Sequence, residues 1–202
     1  MGFMKPLTLN RIAVDPFDNN CYFVCAGDEA LLIDAANNAP ALLKRAEELQ
    51  VRITHLLTTH RHADHVQALA EVLAATGATH FASALDAPSL PVAVDVKLEH
   101  GDVLPFAGYE FPVIVLRGHT EGGAALVVEL DGVTNIFVGD SLFPGGVGKT
   151  DSPEHFEQLF SDVTTRLFDV YDDDTVIWPG HGANTTLGAE RGGLDEWKQR
   201  GW

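Results

Sequence analysis

The chain has 202 residues, 46% hydrophobic and 21% charged, with a formal net charge of −16. This composition supports a packed core and argues against disorder, and the length suits one sizeable domain spanning residues 1–202. So acidic a chain repels phosphate backbones and offers no basic stripe, which runs against nucleic-acid processing.

Met1 to Asn10 lack the apolar h-region of a signal peptide, and no run of about eighteen apolar residues could form a membrane span, so the cytoplasm is the default location. In chain order, strands are predicted over Leu7–Val14, Cys21–Cys25, Ala30–Ile33 and Ile53–Thr58, with a helix over Ala39–Leu49. The only cysteines, Cys21 and Cys25, share one face of their strand and lie about 13 Å apart in extended chain, which is too far for a disulfide. They read as core. A helix over Val66–Thr76 follows, then strands over Thr79–Ala82, Tyr109–Leu116, Ala124–Leu130 and Thr134–Val138. Asp131-Gly132 between the last two reads as a hairpin turn. A helix over Pro153–Phe168 starts with capping-type Asp151-Ser152 and an early proline. A strand over Thr175–Trp178 and a helix over Gly188–Arg200 complete the pattern. Strands interleaved with helices, with hairpins inside, suit an α/β layered sandwich.

The informative stretch lies between the fourth strand and the second helix, Thr58-Thr59-His60-Arg61-His62-Ala63-Asp64-His65. A turn can aim side chains two apart at one point, whereas on a helix positions i and i+2 diverge. Imidazole is the commonest ligand for zinc-like ions, and carboxylates serve beside it. His119, Asp140 and His181 each follow an apolar run that ends in glycine, which lets the backbone turn and come close to a neighbour. Among the other histidines, His55 reads as core, while His80, His100 and His155 read as surface or capping residues. The glycine-rich Phe143–Thr150 segment lacks the spacing of a phosphate-binding P-loop.

Taken in order, Thr-His-Arg-His-Ala-Asp-His at 59–65, Gly-His-Thr at 118–120, Gly-Asp at 139–140 and Pro-Gly-His at 179–181 resemble the metallo-β-lactamase superfamily. Within it the chain looks most like glyoxalase II (hydroxyacylglutathione hydrolase) and the small hydrolases related to it. The similarity runs from the Asp18-Asn19-Asn20-Cys21-Tyr22 strand opening to His181. It implies an αββα sandwich with the site at one edge of the two sheets. By matching position, His60, His62 and His119 would hold one metal, Asp64, His65 and His181 a second, and Asp140 would bridge them. Asp64 is also the candidate for handling a proton. Asp34 resembles the family's strand-end aspartate that orients a ligand, although it equally suits a turn. Lys149 matches the basic residue that reaches the thiol cofactor's carboxylate, and a solvated surface lysine is the competing reading.

The activity implied is hydrolysis of a 2-hydroxyacyl or related thioester of a small thiol by a hydroxide held between two divalent ions. Zinc is the first expectation, and mixed His/carboxylate shells also accept iron or manganese. The chain departs from glyoxalase II in having only a short segment after His181, without that enzyme's C-terminal helical domain, which leaves the thiol carrier open. Three alternatives stand beside thioester hydrolysis. A persulfide dioxygenase would need a single iron on two histidines and a carboxylate. A lactonase or β-lactamase is another, although Asp140 stands where several β-lactamases carry cysteine. The third is a non-catalytic, metal-stabilised binding domain. The expected partner is a small-molecule thioester, with neither nucleic acid nor membrane, and a homo-oligomer is compatible with the sequence.

Overall fold

Alternation of side chains along β-strands sorts this chain into layers. In the computed structural model, which describes residues 4–202, strand β2 (Asn19–Ala26) is buried along its whole length. Its odd-numbered residues Cys21, Phe23 and Cys25 face one apolar cluster, and Tyr22, Val24 and Ala26 face another. A strand buried on both faces belongs at the centre of a layered domain. Around it lies a six-stranded sheet in the order β1 (Leu7–Val14), β2, β3 (Glu29–Ile33), β4 (Arg52–Thr58), β5 (Thr79–Ser83), β6 (Val96–Leu98). Helices α1 (Ala39–Glu48) and α2 (Leu69–Thr76) cover its outer face through Leu42, Ala46, Leu69 and Val72.

The second six-stranded sheet contains β7 (Val103–Phe106), β8 (Tyr109–Leu116), β9 (Gly123–Leu130) and β10 (Val133–Gly139). A small ribbon follows, β11 (Leu142–Phe143) with β12 (Gly146–Val147). Strands β13 (Val176–Pro179) and β14 (Thr185–Thr186) extend that sheet beyond β10, giving the order β14-β13-β10-β9-β8-β7. Helices α3 (Pro153–Val163), α4 (Leu187–Arg191) and α5 (Leu194–Arg200) pack on its outer face through Phe156, Leu159, Leu187 and Trp197. The result is the αββα sandwich that the resemblance implied. Its inter-sheet core includes Phe137, fully buried, with its ring 5.0 Å from Tyr22 and 6.3 Å from Trp178.

The differences from the predicted elements have local causes. Helix α2 starts at Leu69 and not Val66, because Gln67 and Ala68 give their N–H groups to Ala36 and Ala35 (3.0 and 3.1 Å). Ala63–His65 form a tight 3-10 turn instead. The helix predicted over Gly188–Arg200 is two helices broken at Gly192-Gly193, where a Cβ on Gly193 would stand 2.8 Å from the Trp197 indole nitrogen. The third helix loosens after Val163 into a wider π-type turn over Thr164–Phe168. Strands β6, β7, β11, β12 and β14 have no counterpart among the predicted strands, each being only two to four residues long. Of these, β6, β7 and β14 lie at sheet edges, where Pro105 of β7 needs no donor. Asp131 and Gly132 both adopt positive φ between the paired Leu130 and Val133, which makes the predicted hairpin turn. Cys21 and Cys25 are free and buried. No described helix is long and apolar enough to cross a membrane. Of the N-terminal segment read for a signal sequence, residues 1–3 lie outside the described residues.

Parallel pairing of β3 with β4 and of β10 with β13 sends their carboxyl ends to the same edge of the sandwich. There the sheets are tied to each other: Asn20 N–H donates to Gly180 O (2.8 Å), and Ala124 N–H donates to Thr59 O (2.8 Å). Phe137 therefore supports the frame from which the edge loops hang. Truncating Phe137 to Ala is expected to destabilise the fold by about 3–5 kcal/mol, the usual cost for a fully buried aromatic. Urea unfolding of the variant measures it, and a loss below about 1 kcal/mol would show that this core does not carry the fold.

Candidate metal centre

Each strand end at that edge contributes a side chain. The turn after β4 carries His60, His62, Asp64 and His65, the loop after β8 carries His119, Asp140 follows β10, and His181 follows β13. Two of these groups form trios whose ligand atoms lie within 4.8 Å of one another, His60–His62–His119 and Asp64–His65–His181. A third such group, His60–His65–Asp140, takes one histidine from each trio. Asp140 thus stands between them, with Oδ2 3.8 Å from His60 Nε2, 3.6 Å from His119 Nε2 and 3.3 Å from His181 Nε2. Its Oδ1 is 3.4 Å from His65 Nε2. Glycine makes this approach possible. A Cβ on Gly180 would fall 2.2 Å from Asp140 Oδ1, and one on Gly148 would fall 1.7 Å from Asp140 O.

Hydrogen bonds behind the rings fix which nitrogen faces inward. His119 Nδ1–H donates to Lys149 O (2.6 Å), and His181 Nδ1–H donates to Phe17 O (2.8 Å). His65 Nδ1–H donates to Asp34 Oδ2 (2.9 Å). Thr59 spends its hydroxyl proton on Asp34 Oδ2 (2.7 Å), so the 3.0 Å contact with His60 is donated by His60 Nδ1–H. Each ring therefore turns Nε2 to the centre: His60 and His119 offer it without a partner, while His65 and His181 direct theirs at Asp140. With Nδ1–H held from behind, it is Nε2 that is free to bind a metal once any proton there is displaced. Asp34 is the hub of this arrangement, since its Oδ1 also accepts Thr59 N–H (2.7 Å). Asn19 performs the same service for Asp64, donating Nδ2–H to its Oδ2 (3.0 Å).

The electrostatics follow from burial and from these contacts. Burial holds the His60 imidazole well below its ordinary pKa, and the nearby His65 adds to the effect. Burial likewise lowers His62, with His119 beside it. For His65 burial opposes the proton, but hydrogen bonds to Asp140 and Asp34 outweigh it and raise the ring to about 10. The Asp140 hydrogen bond raises His181. Burial would raise Asp140, yet hydrogen bonds from His181 and His65 bring it below the ordinary carboxylate range. Asp64 is also lowered, the Asn19 bond and the His65 charge together outweighing burial.

These residues fit divalent cations on the structure's own terms. His60 Nε2, His119 Nε2 and Asp140 Oδ1 are buried without a hydrogen-bond partner, and an orphaned buried polar atom costs roughly 1–3 kcal/mol. His65 Nε2 and His181 Nε2 face each other at 3.1 Å, where two bare lone pairs repel unless a proton or cation lies between them. A dication answers both problems, and the field that favours a proton on His65 favours it too.

The remaining sequence readings divide. Asp34 orients a ring, as the resemblance implied. His55 is half-buried, stacked on Phe81 at 5.4 Å. His80 is buried, contrary to the surface reading, because Thr58 Oγ1 and Ala93 O take its two ring nitrogens (2.8 and 2.9 Å). His155 lies on the surface beside Asp151, at the start of α3. Lys149 adjoins the centre through its carbonyl, and its exposed side chain lines a groove of about 1080 Å³ with Phe156, Phe160, Lys198 and Trp202. Sequence reasoning gave no role to Thr59, to Asn19 or to the buried Asp86, since each acts through hydrogen bonds between segments far apart in the chain.

Comparison with known proteins agrees with this geometry. The family model of the metallo-beta-lactamase superfamily matches residues 14–181. Hydroxyacylglutathione hydrolase GloC of Haemophilus influenzae is 32% identical, over 92% of this chain and 95% of that protein. A hydroxyacylglutathione hydrolase of Fuscovulum blasticum is 36% identical over 71% of this chain, which there spans only 56% of the relative's length. Among solved structures, TTHA1623 in a di-iron-bound form superposes with a TM-score of 0.76 at 29% identity, covering 90% of this chain and 96% of that one. The matched residues take in the whole cluster from His60 to His181, and the chain belongs to the metallo-beta-lactamase superfamily.

Proposed function

We propose that this protein is a binuclear metal-dependent hydrolase that cleaves acyl thioesters of a small thiol, with 2-hydroxyacyl thioesters as the first class to test. The observation that carries the reading is the pair of ligand trios meeting at Asp140, with the histidine tautomers already set. His60, His62 and His119 would hold one ion, and Asp64, His65 and His181 the other. Zinc is the first candidate, and the di-iron form of TTHA1623 keeps iron in view. The two relatives named as hydroxyacylglutathione hydrolases support a thioester substrate, and hydroxyacylglutathione is itself an S-acyl compound. A complete second trio favours hydrolysis over one-iron oxygen chemistry, which needs a single site with open positions. Oxygen uptake during turnover of a persulfide would favour the dioxygenase reading instead.

Paired divalent ions in such a site acidify a water to near-neutral pKa and polarise a carbonyl. The side chains define the rest. Asp34, Thr59, Asn19 and the carbonyls of Phe17 and Lys149 hold the ligands in place, so that little reorganisation is needed during reaction. Asp64 carries its carboxyl below the ordinary range with Oδ2 occupied by Asn19, which makes it an acceptor and a poor proton donor. A thiol, with a pKa of about 8.5, departs as thiolate without an acid, whereas an amine needs a proton. The exposed Lys149 side chain, whose own carbonyl accepts from His119, would meet an anionic group on the thiol carrier.

Three outcomes are expected. Between a thioester and an amide of matched shape, kcat/KM should favour the thioester by roughly 10²–10⁴-fold, the usual worth of a missing general acid; equal or higher activity on the amide, including a β-lactam, would sink the assignment. Lys149→Ala should raise KM roughly two- to five-fold, in line with an exposed ion pair, and leave kcat little changed. Unchanged kinetics across all thioesters would return Lys149 to the solvated surface. Asp140→Ala should lower bound metal and turnover together, read by elemental analysis beside the thioester assay. Turnover by the native protein no greater than after chelation, on every thioester tried, would point to a binding or structural site.

A further inference from the structure

Asp86 belongs to neither trio, yet its carboxylate reaches both chain segments that make the first one. It lies just beyond the end of β5 and is 1% exposed. Oδ2 accepts the N–H of Arg61 (2.9 Å), the residue between His60 and His62. Oδ1 accepts the N–H of Gly122 (3.0 Å), three residues past His119. Ser83, fully buried, completes the grip: its hydroxyl donates to Gly122 O and accepts the N–H of Asp86 (3.1 Å). Gly122 is thus held through both its N–H and its C=O. A Cβ there would stand 2.7 Å from Leu85 Cβ, so the seat admits only glycine without a shift.

The first trio has a specific need for such a clamp. His60, His65, His119 and His181 are each oriented by a hydrogen bond to Nδ1. His62 makes no side-chain hydrogen bond among the described residues. Its ring, 4.9 Å from His60 and 4.5 Å from His119, is directed by its extended backbone alone. That backbone is held on one side by the His65 N–H on His62 O (3.0 Å) and on the other at Arg61, where the anchor is Asp86.

We propose that Asp86, seconded by Ser83, is a positioning residue: it holds the His60–His62 segment in register with the His119 loop and so sets the affinity of the first trio for its ion. The inference rests on the two-ion reading and adds which of the two sites the clamp controls. Contacts behind metal ligands typically account for 10- to 100-fold in affinity.

The test is a zinc titration of the full chain against a competing chelator, followed through the ¹⁵N resonances of the histidine rings. In Asp86→Ala, the rings of His60, His62 and His119 should lose zinc at roughly 10- to 100-fold higher free zinc than in the native chain. His65 and His181 should keep their native midpoint, and Asp86→Asn, which retains one acceptor oxygen, should fall between. Should Asp86→Ala fail to fold, Ser83→Ala must move the same three rings in the same direction. A shift of all five rings together, as a general loosening would give, overturns the proposal, and so does no shift. If the native chain takes up no zinc on these five histidines, the two-ion reading itself fails, and the inference falls with it.

Discussion

A carboxylate and four imidazole Nε2 atoms crowd into one buried space at the edge of this sandwich, and most of the surrounding structure answers to that crowding. Asp140 lies within 3.3–3.8 Å of Nε2 of His60, His65, His119 and His181. Groups of that kind, taken out of water without partners, cost several kcal/mol, and only positive charge among them offsets the cost. Gly148 and Gly180 exist at their positions because any side chain there would collide with Asp140. The orientations of four rings follow from acceptors placed behind them on four different segments of chain, at Phe17, Asp34, Thr59 and Lys149.

Such convergence needs a rigid frame, and the two sheets supply it. Each sheet is buried on both faces, so the strand ends cannot slide without disturbing apolar layers above and below. The loops that leave those ends are then tied across: Asn20 to Gly180, Ala124 to Thr59, and Asp86 to both Arg61 and Gly122. The ligand loops owe their order to these cross-links, and the cross-links owe theirs to packing. Function is written on the loops and stability on the layers.

Much of this was legible in the residues. Alternation and apolar runs placed most strands within a residue or two, and the spacing within 60–65 together with the glycine-led His119, Asp140 and His181 marked the cluster before any coordinates. What stayed hidden was whatever depends on partners distant in sequence. The start of α2 moved because Gln67 and Ala68 bond to the segment at 35–36. His80 is core because Thr58, on the adjacent strand, takes its Nε2. Asp86 drew no reading from the sequence, since nothing near it in the chain announces Arg61 or Gly122. Local patterns encode which residue types can bind metal; the contacts that aim them are tertiary.

The central claim is that seven side chains form two cation sites sharing one carboxylate. Crystals of the metal-loaded chain, measured at the absorption edge of the bound metal, test it most directly. The account predicts two anomalous peaks per chain, one among His60, His62 and His119 and the other among Asp64, His65 and His181, with Asp140 touching both. A single fully occupied peak in protein of maximal activity, or peaks away from these residues, would contradict it.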